Sequence, residues 1–493
     1  MTVASTPSSV PTSSADSRRW ATLAVVCLAQ LMIVLDVTIV NVALPSIQQD
    51  LHFSQGNLTW VVNAFLVTFG SLLLLTGRLG DLVGRKRVSL VGLAVFTGAS
   101  LLCGLADSQA VLVGARFVQG LGGALTSAVI LGMIVTLFPE PGERAKAIGV
   151  YSFVASAGAS IGLLLGGVLT EAISWHWIFF VNLPIGLITA VLTVRLLARE
   201  DGIGFGEGAD VLGAVLVTAS LMLAVYTLVG ASDYGWDSAH TVGFGGTALV
   251  LLIAFVIRQA RAANPLVPLR IFRSRNVSGA NIVQMLMVAG LFGMFFLGAI
   301  YLQRVLGYDA LQVGLAFLPV ALAIGLLSVG FSARLITRFG ARATLLPGLL
   351  LIIAGLALFA RTPVDATYLT DVFPSMLLLG VGAGLTFPSL MTLAMSGATE
   401  TDSGLASGVV NMSLQVGGAL GLAVLATLSA TRTKHLVEAG SSTASALTGG
   451  LHLVLLVGVG LLAVAFVVAV TVLRSEAAER AAQGLPEAAY DTG

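Results

Sequence analysis

An all-α integral membrane protein of fourteen transmembrane helices is the fold class this sequence predicts, and three observations carry it. Only 10% of the 493 residues are charged and 57% are hydrophobic, with a mean hydropathy of +0.98. Soluble domains average about a quarter charged residues. Apolar segments long enough for a helix to cross about 30 Å of hydrocarbon recur along the whole chain. Basic residues gather on one side of the segments so defined. A net charge of +1 gives no reason to expect a nucleic-acid partner. Cys27 and Cys103 both sit in apolar runs, where packed thiols rather than a disulfide framework are expected.

The chain opens with a tail, 1–19, rich in Ser, Thr and Pro, which reads as disordered and cytoplasmic. Span 1 runs from Trp20 to about Ala43. It is too long for the core of a signal peptide and shows no clear cleavage site, so it is read as retained. Spans 2 to 6 centre near Val67, Val95, Thr126, Ile161 and Thr189, and spans 7 and 8 near Leu221 and Leu251. Spans 9 to 14 centre near Gly290, Ala321, Ile352, Leu379, Leu414 and Gly460, before a second cytoplasmic tail, 475–493. With the N-terminus inside, 20 of the 25 basic residues fall in inner segments. Arg304, Arg361, Arg432 and Lys434 fall outside and Arg116 lies within a span. That bias places both termini in the cytoplasm and requires an even number of spans.

The stretch "GRLGDLVGRK", Gly77 to Lys86, returns in degraded form as "ARLITRFGAR", Ala333 to Arg342. Each copy follows the second span of a six-span block. The domain organisation expected is therefore a six-helix bundle over 20–199, two linking helices over 200–262 and a related bundle over 263–474. Repeated halves with a site between them suit alternating access.

Several chemistries lack their residues. None of Lys86, Lys146 or Lys434 follows a glycine as a Walker A lysine does, no histidine is followed by glutamate, and there is no CxxC. Nucleotide-driven transport and zinc-protease chemistry are not expected, and neither is a cofactor or a metal.

Asp36 lies in "MIVLDVTIVNVALP", Met32 to Pro45, where its helical neighbours Met32, Ile33, Ile39 and Val40 cannot satisfy a carboxylate. At the helical rise it lies roughly 10 Å from the outer end of span 1, and Arg116 lies roughly 9 Å from the outer end of span 4. They are the one acid and the one base well inside any span, so each is expected to be the other's partner. A permanent structural ion pair and a functional one both remain open. In "GRLGDLVGRKR", Gly77 to Arg87, a topology anchor would explain the basic residues. It would not explain Asp81 or the spacing of Gly77, Gly80 and Gly84, which suit a tight turn and close helix approach.

These motifs together resemble a known family. "GRLGDLVGRKR" is similar to the loop 2–3 signature of the major facilitator superfamily, and "LDVTIVNVALP" to the span 1 signature of its fourteen-span drug:proton antiporter family. "RFVQGLGGA" resembles the family's span 4 motif. "SWHWIFFVNLPIG" resembles its junction between spans 5 and 6, with His176 where arginine is frequent. "SGLASGVVNMSLQVGGALG", Ser403 to Gly421, is a looser match. The resemblance implies the major facilitator fold, two six-helix bundles plus two inserted helices. It assigns Asp36 and Arg116 to proton coupling. It assigns Gly77, Asp81, Gly84, Arg85 and Lys86 to a cytoplasmic conformational latch.

Gly158, Gly162 and Gly166, followed by Gly167, form a ladder on span 5 against which another helix can pack closely. The family's antiporter motif has a proline after the second glycine, where this chain has Leu163, so a proline kink is not expected. Asn63, Tyr151, Gln284, Phe296, Asn411 and Gln415 are candidates to line a central cavity, although helix–helix contacts would explain each as well. Spans 9 to 14 hold no deep carboxylate, and Met285, Met287 and Met294 offer adaptable apolar surface.

The expected protein is a monomeric exporter in the cell membrane. It exchanges protons for an amphipathic, neutral or singly charged drug or antibiotic, and its partners are the substrate, protons and lipid, with no nucleotide or nucleic acid. The alternatives are a lipid or natural-product exporter of the same fold and a membrane sensor that moves nothing.

Overall fold

The computed structural model describes residues 12–138, 140–197, 202, 204, 210–327, 331–395 and 403–474. Most of both expected tails lies outside these residues. The regular structure of the described residues is helical, with no strand among them. In chain order the helices are α1 (Thr12–Asp50), α2 (Gln55–Val83), α3 (Arg85–Gly104), α4 (Gln109–Leu137), α5 (Pro141–Ala172), the single turn α6 (Trp177–Phe180) and α7 (Asn182–Leu196). There follow α8 (Val211–Tyr234), α9 (Ala239–Arg261), α10 (Arg275–Arg304), α11 (Ala310–Leu326), the short α12 (Ser332–Phe339), α13 (Ala341–Phe359), α14 (Phe373–Met395), α15 (Ser403–Glu438) and α16 (Thr443–Thr471).

Twelve described helical segments are long and apolar enough to cross a membrane. Two others are shorter by that measure: the described apolar part of α5, Ile161–Ala172, and the 17-residue α11. Helices begin where a side chain can satisfy a first-turn N–H group. Ser54, Asp210, Ser238, Ser274 and Ser442 each accept such a bond, and Asp309 with Gln312 closes a capping box on α11. The long apolar helices satisfy the rest of the backbone internally, as lipid requires.

The repeated loop has a repeated geometry. Gly84 turns the chain from α2 into α3 at φ 104°, and Gly340 turns it from α12 into α13 at φ 85°. Both angles are left-handed and cheap only for glycine. Lys86 Nζ donates to the carbonyls of Val194 (2.9 Å) and Leu197 (2.6 Å) at the C-terminal end of α7. Arg342 donates to the carbonyl of Val470 (2.6 Å) at the end of α16. A cation against the negative end of a helix is favourable in each copy. The packing repeats too: α3 with α4 and α7 parallels α13 with α14 and α16, and α1 with α5 parallels α10 with α15.

The two sets meet along α2 with α15, α5 with α11 and α1 with α10. Away from the Arg85 end of the molecule they are tied by Gln303 to the carbonyl of Val42 (3.3 Å), Arg304 to Gln48 (3.4 Å) and Gln55 to Ser429 (3.3 Å). Helix α8 packs against both sets. Thr218 donates to Ser71 of α2 (2.9 Å), and Thr427 of α15 donates to the carbonyl of Leu228 (2.9 Å). Its partner α9 is the most outward-facing span, with apolar residues such as Val242, Leu249 and Val250 more than half exposed. An apolar face of that kind suits lipid.

Candidate functional site

Arg116, on α4, forms an ion pair with Asp36 of α1 through Nη1 and Oδ2. Asp36 is fully buried and Arg116 is 1% exposed. Among the described residues Arg116 is the one buried cation, and Asp36 and Asp210 are the buried carboxylates. A charge so placed requires partners on every side. Asp36 Oδ1 accepts from Gln119 Nε2 (2.7 Å) and Asn182 Nδ2 (3.0 Å). Gln119 Nε2 also donates to Ser100 Oγ at 2.8 Å. Arg116 donates from Nε to the carbonyl of Val61 (2.8 Å) and from Nη1 to Gln119 Oε1 (2.7 Å). Its guanidinium lies over the rings of Phe65 (4.7 Å) and Phe179 (5.7 Å), at cation–π distance.

Gln119, Ser100 and Asn182 were not singled out from the sequence. Gln119 had a usable signal, since it stands three residues after Arg116 and so on the same helical face. Asn182 lies in the quoted "VNLPIG" run but comes from α7, whose approach to α1 no local pattern reveals. Its carbonyl oxygen is buried and has no partner.

The opposite face of α1 borders a cavity of about 850 Å³ between the two sets of helices. Gln30, Val34, Val37 and Thr38 line it, together with Phe69 of α2, Phe292 of α10 and Leu414 of α15. The charged lining groups, Arg78, Arg85 and Asp210, gather at the Arg85 end. Of the six cavity candidates, Tyr151, Asn411 and Gln415 line it. Asn63, Gln284 and Phe296 lie outside that lining and are buried at 0%, 3% and 1% exposure. Met285, Met287 and Met294 do not line it either: Met287 and Met294 are fully buried, and Gly417 of α15 seats on the Met285 backbone. Gln30 and Gln415 each have an amide oxygen without a partner.

Around the α2–α3 turn, Arg85 donates to the carbonyl of Gly132 (3.0 Å) and to Thr136 Oγ1 (2.6 Å) on the last turns of α4. Gly77 borders the cavity, and Gly84 and Lys86 act as described above. Asp81 stands on the last turn of α2, but its side chain lies outside the described residues. The glycine ladder divides its contacts. Gly158, Gly162 and Gly166 face α1, where an added Cβ would meet Leu31, Thr38 and the carbonyl of Ile39 respectively. Gly167 faces α11, 2.7 Å from where its Cβ would stand to the Leu311 Cα. Helix α5 runs unbroken past Leu163.

The profile of the Major Facilitator Superfamily matches residues 26–422. The chain belongs to the Major Facilitator Superfamily. It is similar to the puromycin resistance protein pur8 of Streptomyces alboniger, with 40% identity over 99% of this chain and 97% of that protein. It is also 38% identical to the cephamycin export protein CmcT of Amycolatopsis lactamdurans, over 83% of this chain and 85% of that protein. Among solved structures, a bacterial homologue of the human lysosomal transporter Spinster, inward-facing and unoccupied, superposes with a TM-score of 0.65 at 16% identity. That match covers 92% of this chain and 98% of the other, and shows the shared fold. A multi-pass membrane transporter of small molecules is the class that the superfamily and the helices establish.

Proposed function

We propose that this chain is a proton-coupled exporter of amphipathic antibiotics in the plasma membrane, a monomer with fourteen spans and both termini in the cytoplasm. On this reading α5 and α11 complete the span count, and the Arg85 end of the cavity faces the cytoplasm. The bundles are 20–199 and 263–474, with 200–262 as the inserted pair. The names of pur8 and CmcT support puromycin and a cephamycin as the first compounds to try.

The observation that carries the proton-coupled part is how Arg116 is held. A proton arriving on Asp36 Oδ2 breaks the ion pair, yet Arg116 keeps the Val61 carbonyl, Gln119 Oε1 and two aromatic faces. A pair that can open without stranding its cation suits a switch better than a permanent strut. Because Asp36 and the cavity-lining Val34, Val37 and Thr38 share α1, a change at the pair moves one wall of the cavity. A rocking motion then exchanges the ties at the far end for closure at the Arg85 end. The test is puromycin transport by proteoliposomes under an imposed pH gradient. Gradient-driven, proton-linked transport is expected for the parent, and its undiminished persistence in Asp36→Asn would remove Asp36 from coupling.

A further inference from the structure

Neither the ion pair nor the repeated bundles account for the segment that leaves the inserted helices. Between α9 and α10 the chain reads "AANPLVP" over 262–268, and Ala263, Asn264, Pro265, Leu266 and Pro268 line the cavity at its Arg85 end beside Asp210. One buried side chain fixes this strap. Gln259, 3% exposed, donates from Nε2 to Asp210 Oδ2 (2.8 Å) and accepts from the backbone N–H of Val267 (3.0 Å). Asp210 Oδ1 accepts in turn from the N–H of Gly213 (2.9 Å) and from Arg258 Nε (3.0 Å). A side-chain amide carries the donor and the acceptor that these two bonds need at once.

Apart from the exposed Asn264, the strap is stiff and apolar. Leu266 and Val267 are buried, and Pro265 and Pro268 fix φ and remove two N–H groups. Its anchor is the pair α8–α9, and α8 is bonded to both α2 and α15. The strap therefore stands between the two sets of helices, held by neither alone. We infer that the strap 263–268, positioned by Gln259, is the lip of the cavity and sets which compounds it admits, favouring those that present an apolar face. The identity of the cargo rests on the export reading above, whereas the fixing of the strap does not.

The test uses the full chain with Ala263→Cys, an exposed cavity position, carrying a spin label; Cys27 and Cys103 are buried and stay in place. An immobilised spectrum is expected in the parent and a mobile component in Gln259→Leu. Puromycin affinity should weaken about tenfold, the size of one or two net hydrogen bonds, and the puromycin-to-cephamycin affinity ratio should change. Pro265→Gly, which strands no buried polar partner, should act in the same direction. A label already mobile in the parent would overturn the fixed strap. So would spectra and affinity ratios unchanged in both variants, with the export reading left standing. Failure of both compounds to bind the parent would overturn the export reading, and the strap's part in admission with it.

Discussion

Asn182 donates to Asp36 at 3.0 Å, while its own carbonyl oxygen, equally buried, bonds to nothing. A carboxylate accepts from the amide nitrogen; a protonated carboxyl needs an acceptor, and a half-turn of the Asn182 amide would supply one. Asn182→Leu should therefore leave the Asp36–Arg116 pair formed but remove both the donor that serves the carboxylate and the acceptor that would serve the carboxyl. Puromycin exchange without a gradient should persist, while gradient-driven transport falls about tenfold, equivalent to about 1.4 kcal/mol on the barrier. Equal losses in both assays would make Asn182 a packing residue.

Removing the cation is a harsher change. Arg116→Ala leaves Asp36 buried without its counter-charge, and breaking such a pair costs about 3–5 kcal/mol. The melting temperature in detergent should fall clearly below that of Asp36→Asn, which keeps a neutral side chain able to bond Arg116. Similar melting temperatures for the two variants would show that the unpaired acid is no costlier to bury than the unpaired cation.

Close packing of α5 on α1 turns on Gly162, where an added methyl would collide with Thr38 Oγ1. Gly162→Ala should destabilise by about 1–3 kcal/mol. Adding Thr38→Ala, which removes that oxygen, should recover part of the loss in a double-mutant cycle of melting measurements. Simple additivity would place the strain elsewhere.

The basic turns also carry a testable symmetry. Lys86→Met removes two bonds to the end of α7, and Arg342→Met removes one to the end of α16. Each should cost about 1–3 kcal/mol, with Lys86→Met the larger. Chemical denaturation in detergent reads the order, and a reversed order would mean the carbonyls find other donors.

Asp210 gives a pH dependence with a definite sign. Burial acts to raise its pKa, but the Gly213 N–H, the Gln259 amide and Arg258 together outweigh it and hold the carboxyl below its ordinary value of 3.8. A carboxyl depressed in the folded state adds stability above its unfolded value, and that stability is lost as pH falls through the folded one. Thermal stability should be flat near neutrality and drop below about pH 4, with Asp210→Asn less stable near neutrality and less sensitive to acid. An identical acid profile for the variant would assign the drop to other carboxylates.

The sequence by itself determined the membrane class, the all-helical character and the two intramembrane charges. Apolar length is a local property, and a charge in hydrocarbon must have a partner wherever it lies. It also located the Gly84 and Gly340 turns, because a motif that repeats marks its own position. Only the tertiary structure decided who surrounds the charges, which half of the glycine ladder meets which helix, and that 263–268 lines the cavity. The reason is that uncharged polar side chains in these helices do not announce a distant partner. Thr38, Ser71 and Thr126 each donate to a carbonyl of their own helix, one turn back. Gln119, Ser100 and Asn182 resemble them in sequence; Gln119 and Asn182 meet Asp36 only because α4 and α7 pack on α1, and Ser100 stands behind them on α3, which packs on α4 and α7.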